Sequence, residues 1–198
     1  RMSPLTKAVN KQLLPIYDKP LIFYPLSILM LSNIRDILII VNKGQLEQYK
    51  KILPNGDNLG IKITYAEQSK PSGLPDAFII GEKFISNKNV ALILGDNFFY
   101  GQNLTKSLMN NSKLVSGAKI ILHNVLKPEL FGVAKIDSNE KIVQIKEKPK
   151  KFISNYAITG LYFFDNNVVE YSKKLKPSSR GELEIADLLN IYRKKKQL

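Results

Sequence analysis

Three short apolar runs, "DILIIVN" at 36–42, "IKITYAEQ" at 61–68 and "VALILGD" at 90–96, are each followed or preceded by a stretch with helical spacing. Their length and their branched and aromatic content mark them as strands, and a continuous apolar run is the pattern of a strand covered on both faces. "GQLEQYKKIL" (44–53) and "LPDAFIIGEKFI" (74–85), the latter with Pro75 in its first turn, read as the intervening helices. Upstream, Asp18 as N-cap, Pro20, and the spacing of Ile22, Leu26, Leu29 and Met30 predict another helix. Alternating strands and helices call for a mostly parallel sheet with helices on both sides. The expected class is α/β, a Rossmann-like doubly wound mixed sheet, in a single domain over 1–198.

Beyond about residue 116 the pattern changes. "AKIILHNV", "FGVAKID", "KIVQIKEKP" and "NYAITGLYFFD" are strands in succession, and turn residues such as "DSNEK" make the last three a mixed or antiparallel extension of the sheet. "GELEIADLLNIYRKKK" (181–196) then predicts an amphipathic helix with Ile185, Leu188, Leu189 and Tyr192 on its apolar face. Glu182 and Glu184 fall in its first turn and basic residues in its last, both favourable to the helix dipole.

Composition removes several chemistries. Without cysteine and with a single histidine, His123, the chain excludes thiolate and multi-histidine metal sites, so any metal must sit on oxygen ligands. The longest apolar stretch, Pro20 to Asn33, is too short to span a bilayer, and no signal sequence is recognised, so the expectation is a cytoplasmic protein without a membrane partner. A formal charge of +13 points to anionic partners. Because the lysines are dispersed and no run interleaves them with aromatics, small phosphorylated substrates fit better than nucleic acid.

Asp96 and Asn97 stand where "VALIL" ends, and ligands of open α/β sheets gather outside the carboxyl ends of strands. Gly-Asp-Asn is also good turn chemistry, so Asp96 is either a turn cap or a carboxylate for Mg²⁺, which takes one or two carboxylates and leaves its other positions to water and phosphates.

Several stretches together, "KQLLPIYDKPLIFYPLS", "LILGDNFFYG", "FGVAKID", "KEKP", "NYAITGLYFFD" and "KPSSRGELEIAD", resemble the glucose-1-phosphate thymidylyltransferases over essentially the whole chain. These are sugar-nucleotide pyrophosphorylases of bacterial deoxysugar and polysaccharide synthesis. The resemblance implies that glucose 1-phosphate and dTTP are the substrates, dTDP-glucose and pyrophosphate the products, Mg²⁺ the cofactor, and a homo-oligomer the working form. Joining two anions requires cations that neutralise them and hold the attacking oxygen in line. By resemblance Arg1 and Lys11 contact the triphosphate, while Lys148 and Arg180 contact the sugar phosphate. Glu147 would accept glucose hydroxyls, with Asn97, Gly132 and Ile158 at the sugar; Gln12, Gln68 and Gly73 would read the pyrimidine, and Asp96 would hold Mg²⁺ near the nucleotide.

Two substitutions depart from the family pattern. Asp76 in "GLPDA" stands where an amide is common, and Phe131 stands where Tyr is usual. The family pattern also has a Gly-Gly-x-Gly-Thr-Arg loop whose Arg would be Arg1, and a Trp-Leu-Asp-Thr-Gly segment after the region matching "KKKQL". The sequence thus reads as a family member cut at both ends, and the expectation is that these 198 residues alone turn over little or nothing. Alternatives are a non-catalytic sugar-nucleotide binder, or a uridylyl or cytidylyl transferase of the same fold.

Overall fold

The computed structural model describes residues 9–198, and these fall into two compact units. The first comprises the residues up to Lys70 together with Ile93–Lys113; the second comprises Pro71–Leu92 and Leu114–Leu198.

Among the described residues, the first element of the first unit is a 3-10 turn, Lys11–Leu13, capped by the Asn10 side chain, which accepts from the Gln12 N–H. A small hairpin follows, β1 (Pro15–Ile16) and β2 (Lys19–Pro20), paired antiparallel about Tyr17 and Asp18. This corrects the helix expected from Asp18: Tyr17 adopts φ 60°, the kind of turn that closes a two-residue hairpin, and helix α1 starts only at Phe23 and runs to Leu31. Pro20 therefore ends a strand instead of starting a helix.

Strand β3 (Asp36–Asn42) alternates its burial, with Ile37, Ile39 and Val41 in the core. Helix α2 (Leu46–Ile52) crosses over to β4 (Lys62–Gln68), which pairs with β3 in parallel register from Asp36 against Lys62 to Asn42 against Gln68. The two strands end level, so Asn42 and Gln68 come side by side at their carboxyl ends, with Gln68 Nε2 donating to Asn42 Oδ1 at 2.9 Å.

In the second unit the helix expected over 74–85 is two pieces, α3 (Asp76–Ile80) and α4 (Glu82–Ile85), separated at Gly81. Glycine has the poorest helix propensity apart from proline, and the break falls on it. Strand β5 (Val90–Ile93) follows, and helix α5 (Leu104–Ser112), not foreseen from the sequence, lies in the first unit with Leu108 fully buried.

The remaining strands are β6 (Ala118–Asn124), β7 (Gly132–Ile136), β8 (Ile142–Glu147) and β9 (Tyr156–Phe164). With β5 they form a five-stranded sheet ordered β5-β9-β7-β8, in which β6 also pairs with β9. The β6–β9, β7–β8 and β7–β9 pairs are antiparallel whereas β3 and β4 pair in parallel, so strand pairing across the chain is mixed, as expected. Helix α6 (Val168–Lys173), also unforeseen, and α7 (Ile185–Lys194) complete the unit.

Ile185, Leu188, Leu189 and Tyr192 of α7 are buried as the apolar spacing required, in one core with Phe78, Tyr162 and Phe164. The helix begins one residue after Glu184, which is extended, so its first-turn acid is Asp187 and not Glu182 or Glu184. On β8, at the end of the strand order, two carbonyls accept from α7: Asn190 Nδ2 reaches the Ile145 oxygen at 3.2 Å and Arg193 Nη1 the Val143 oxygen at 2.9 Å.

One buried carboxylate ties three elements of this unit. Asp165, 2% exposed at the end of β9, accepts from the Gly117 N–H at 2.6 Å, the Tyr192 hydroxyl at 2.8 Å, and the Asn167 N–H and Nδ2 at 3.1 Å each. Removing it leaves buried donors without partners, each costing about 1–3 kcal/mol. Asp165→Ala is therefore expected to lower unfolding free energy by about 3 kcal/mol or more in denaturant titration, and a loss under about 1 kcal/mol would contradict this role.

Candidate functional site

The candidate residues gather into two sets, one in each unit. In the first, the turn Lys11–Leu13 and the loop after β5 bring Lys11 and Asp96 into contact, Nζ to Oδ2 at 2.7 Å. The other carboxylate oxygen accepts from Asn97 Nδ2 at 3.1 Å. Burial alone would raise the Asp96 carboxyl; the Lys11 ammonium, as hydrogen-bond donor and charge, and the Asn97 amide outweigh it and hold the group below its ordinary value. A Cβ on Gly95 would stand 3.0 Å from Gln12 Cγ, so glycine leaves that side chain room.

Amide side chains extend from this pair towards the ends of β3 and β4. Asn10 accepts from the Gln12 N–H and donates to Gln45 Oε1 at 2.6 Å, the Gln45 N–H donates to the Asn42 carbonyl, and Asn42 accepts from Gln68. Gln12 Oε1 accepts from the buried Tyr49 hydroxyl at 3.3 Å. Gln12 and Gln68, predicted to read a base edge, thus belong to one network of amides; Asn10, Asn42 and Gln45 were not foreseen. Arg1 lies outside the described residues.

The second set lines one cavity of about 280 Å³. Gly132 opens β7, Glu147 closes β8 directly opposite it, and Ile158 is on β9; Lys148 follows β8, and Arg180 comes from the turn before α7. A Cβ on Gly132 would stand 3.0 Å from Glu147 Oε2, so glycine leaves that carboxylate room. Lys148 holds φ 39° while its N–H donates to the Phe131 carbonyl at 2.9 Å, a left-handed backbone that costs a non-glycine residue energy and recurs at functional positions.

Charge in this cavity is arranged around Arg180. Its Nε and Nη2 donate to the two oxygens of Glu184 at 3.1 and 2.6 Å, and Nη2 lies 3.6 Å from Glu147 Oε1. Burial and the neighbouring Glu184 push the Glu147 carboxyl up against the pull of Arg180 and Lys148. For Glu184 burial acts in the same direction, but hydrogen bonds from Arg180 and Ser178 prevail and the group is held low. Glu184 and Tyr162 were missed by sequence reasoning; the Arg180 to Glu184 spacing in "RGELE" was the available signal for the first.

Gly73 also belongs to this unit but has a reason of its own in the fold. Its φ is +102°, and a Cβ would come within 2.1 Å of the Leu183 carbonyl oxygen, across a bridge whose neighbouring hydrogen bond runs from Leu183 N–H to the Ser72 oxygen at 2.8 Å. Of the two departures from the family pattern, Asp76 sits in the first turn of α3 and Phe131 lines the cavity.

The set around Asp96 can be tested as a metal site. Among the described residues no group of three or more His, Cys, Asp or Glu side chains is placed to hold an ion. A single carboxylate about one-third exposed fits Mg²⁺ only where the remaining positions are filled by water and substrate phosphates, which is how that ion is commonly held.

Comparison with known proteins identifies the class. A family model described as nucleotidyl transferase matches residues 1–198, and the chain belongs to that family. Within it, a glucose-1-phosphate thymidylyltransferase of Neisseria meningitidis serogroup A is 52% identical over 192 residues, covering 97% of this chain and 67% of the relative. That of Mycolicibacterium smegmatis is 46% identical over 198 residues, covering 100% of this chain and 68% of the relative. The chain thus spans about two thirds of the length of such relatives. A solved Bacillus anthracis structure, described as a glucose-1-phosphate thymidylyltransferase in complex with a sucrose, superposes with TM-score 0.91 at 40% identity, covering 100% of this chain and 79% of that one. A UDP-glucose pyrophosphorylase complexed with UDP-glucose gives TM-score 0.83 at 26% identity, covering 100% and 84%. No helix among the described residues is long and apolar enough to cross a membrane.

The Lys11–Asp96 contact has a pH signature. Because the folded Asp96 carboxyl lies below its unfolded value of 3.8, the contact's contribution is full above that value and is lost as pH falls through the lower, folded one. The stabilities of wild type and Asp96→Asn should therefore converge as acid denaturation series pass below pH 3.8. A gap that stays constant down to the lowest pH at which the protein folds would contradict the pairing.

Proposed function

We propose that this chain carries the site of a glucose-1-phosphate thymidylyltransferase, transferring the thymidylyl group of dTTP to the phosphate of glucose 1-phosphate with release of pyrophosphate. The observation that carries the reading is the cavity in which Glu147, Lys148 and Arg180 converge beside Gly132 and Ile158. It offers a carboxylate acceptor for hydroxyls, cations for a phosphate, and a glycine and an apolar side chain against which a sugar ring can lie. The names and identities of the relatives favour thymidylyl over uridylyl or cytidylyl transfer, and an enzyme over a non-catalytic binder.

In this reading Lys148 and Arg180 bind the phosphate of the sugar, and Glu147 orients the ring by accepting from its hydroxyls. Gln12, Gln68 and Gly73 read the pyrimidine edge, with Asn97 at the sugar. Arg1 and Lys11 neutralise the triphosphate, so that the attacking phosphate oxygen can approach the α-phosphorus against reduced repulsion. Mg²⁺, when bound, is held by Asp96 with substrate phosphates and supplies further neutralisation of the leaving pyrophosphate. A nucleoside triphosphate substrate places the work in the cytoplasm, and a homo-oligomer is the proposed working form.

Pyrophosphate release from glucose 1-phosphate with each nucleoside triphosphate, using the protein that carries this chain, tests the reading. It predicts a preference for dTTP; equal or greater turnover with UTP or CTP would move the assignment to another transferase of the same fold. Asp96→Asn should lower Mg²⁺-dependent turnover at least about a hundredfold with the circular dichroism spectrum unchanged, because an amide is a poor ligand for a hard cation. Near-normal turnover would remove Asp96 from the metal. Glu147→Gln should weaken glucose 1-phosphate more than dTTP, and equal weakening of both would make Glu147 a structural residue.

A further inference from the structure

Arg180 stands between two carboxylates and is committed to one of them. Both Nε and Nη2 point at Glu184, at 3.1 and 2.6 Å, while Glu147 Oε1 is 3.6 Å from the same Nη2, outside hydrogen-bond range. A fork of two parallel N–H bonds to one carboxylate fixes the plane of a guanidinium as a single contact cannot.

Glu184 is placed to do this and little else. It occupies the N-cap of α7, where a short polar side chain usually caps the helix, yet its side chain makes no capping hydrogen bond. Its carboxylate turns to Arg180 and to Ser178, whose hydroxyl donates to Oε1 at 2.6 Å. Ser178 in turn accepts from the Arg180 N–H at 3.2 Å, and the Gly181 N–H donates to the Ser178 carbonyl at 2.9 Å. The backbone beside Glu184 is fixed as well, by the Leu183 N–H donating to the Ser72 oxygen. With its side chain 11% exposed, against 41% for Arg180, Glu184 is the anchored member of the pair and Arg180 the member that reaches the cavity.

We propose that Glu184 is a positioning residue of the sugar-phosphate site: by holding the Arg180 guanidinium in a fork it keeps that cation off Glu147, leaving the Glu147 oxygens free for sugar hydroxyls and the remaining N–H groups of Arg180 free for phosphate. The inference rests on the reading of this cavity as the glucose 1-phosphate site. Without the fork, a displacement of Nη2 by under about an ångström brings the 3.6 Å contact into hydrogen-bond range, and the guanidinium is then spent on the Glu147 carboxylate. The groups facing Glu147 are Arg180 and Glu184, Lys148 beside it, Asp187 on α7 and Tyr162 on β9.

Two measurements on wild type, Glu184→Gln, Arg180→Gln and the double variant test this. In calorimetry, Glu184→Gln should weaken glucose 1-phosphate about tenfold or more with dTTP affinity unchanged, and the double variant should bind no more weakly than Arg180→Gln alone, since Glu184 acts through Arg180. Wild-type affinity in Glu184→Gln, or effects that multiply in the double variant, would overturn the proposal. In ligand-free protein, carbon-13 NMR of the Glu147 carboxyl should show its titration moving to lower pH on Glu184→Gln, by more in the wild-type background than in the Arg180→Gln background, where no guanidinium can pair with it. An equal displacement in both would show only the loss of a neighbouring charge and would overturn the proposal. This second measurement needs no sugar, so a wild type that fails to bind glucose 1-phosphate refutes the reading of the cavity while the NMR result still decides the role of Glu184. Ser178→Ala, which leaves both carboxylates and the fork in place, should retain wild-type Glu147 titration; a displacement as large as in Glu184→Gln would mean that the turn and not the fork sets it.

Discussion

Two carboxylates at the candidate sites, Asp96 and Glu184, are each hydrogen-bonded to a cation, and these pairs set how charge is arranged around them. Asp96 is paired with Lys11 at 2.7 Å and Glu184 with Arg180 at 2.6 Å. A partly buried anion without such a partner would neutralise by taking up a proton, and would then neither bind a metal nor anchor a guanidinium. Glu147 has the looser contact: with Arg180 Nη2 3.6 Å away, beyond hydrogen-bond range, burial and Glu184 push its carboxyl up. An acceptor kept slightly short of partners is the kind a hydroxyl-rich ligand can satisfy.

The backbone serves these pairs through strand ends and glycines. In the first unit the parallel register of β3 and β4 ends Asn42 and Gln68 together, and Gly95 gives the Gln12 side chain its space. In the second, antiparallel pairing puts Gly132 opposite Glu147, and Gly73 admits the Leu183 backbone that leads into Glu184. Asp165 does not line the cavity, but by binding both Gly117 and Tyr192 it fastens α7 to the end of β9, and α7 begins at the residue after Glu184.

The strands were legible because their apolar runs are short and bounded by turn residues, and the buried face of α7 because Ile185, Leu188, Leu189 and Tyr192 keep helical spacing. Local turn chemistry was less so. Asp18 and Pro20 are helix-start signals by residue type, but a left-handed Tyr17 lets the same residues close a hairpin. Helices α5 and α6 are short, nine and six residues, and so show too few turns for their periodicity to stand out. At the sites, residues carried over by family resemblance fall beside one another within each unit, as with Gly132, Glu147, Lys148, Ile158 and Arg180. Glu184 escaped notice because a glutamate just ahead of a helix reads as a dipole partner, and only the geometry shows its carboxylate turned to Arg180.

The central claim is that a sugar phosphate is bound by the cavity of the second unit and the triphosphate by the Lys11–Asp96 set of the first. The most direct test is to titrate isotope-labelled protein separately with glucose 1-phosphate and with dTTP and follow the amide and methyl resonances. The account predicts that glucose 1-phosphate moves the signals of Gly132, Lys148 and Ile158, and that dTTP moves those of Lys11, Gln12 and Asp96. Glucose 1-phosphate that leaves the Gly132, Lys148 and Ile158 signals in place while moving those around Lys11 and Asp96 would contradict it.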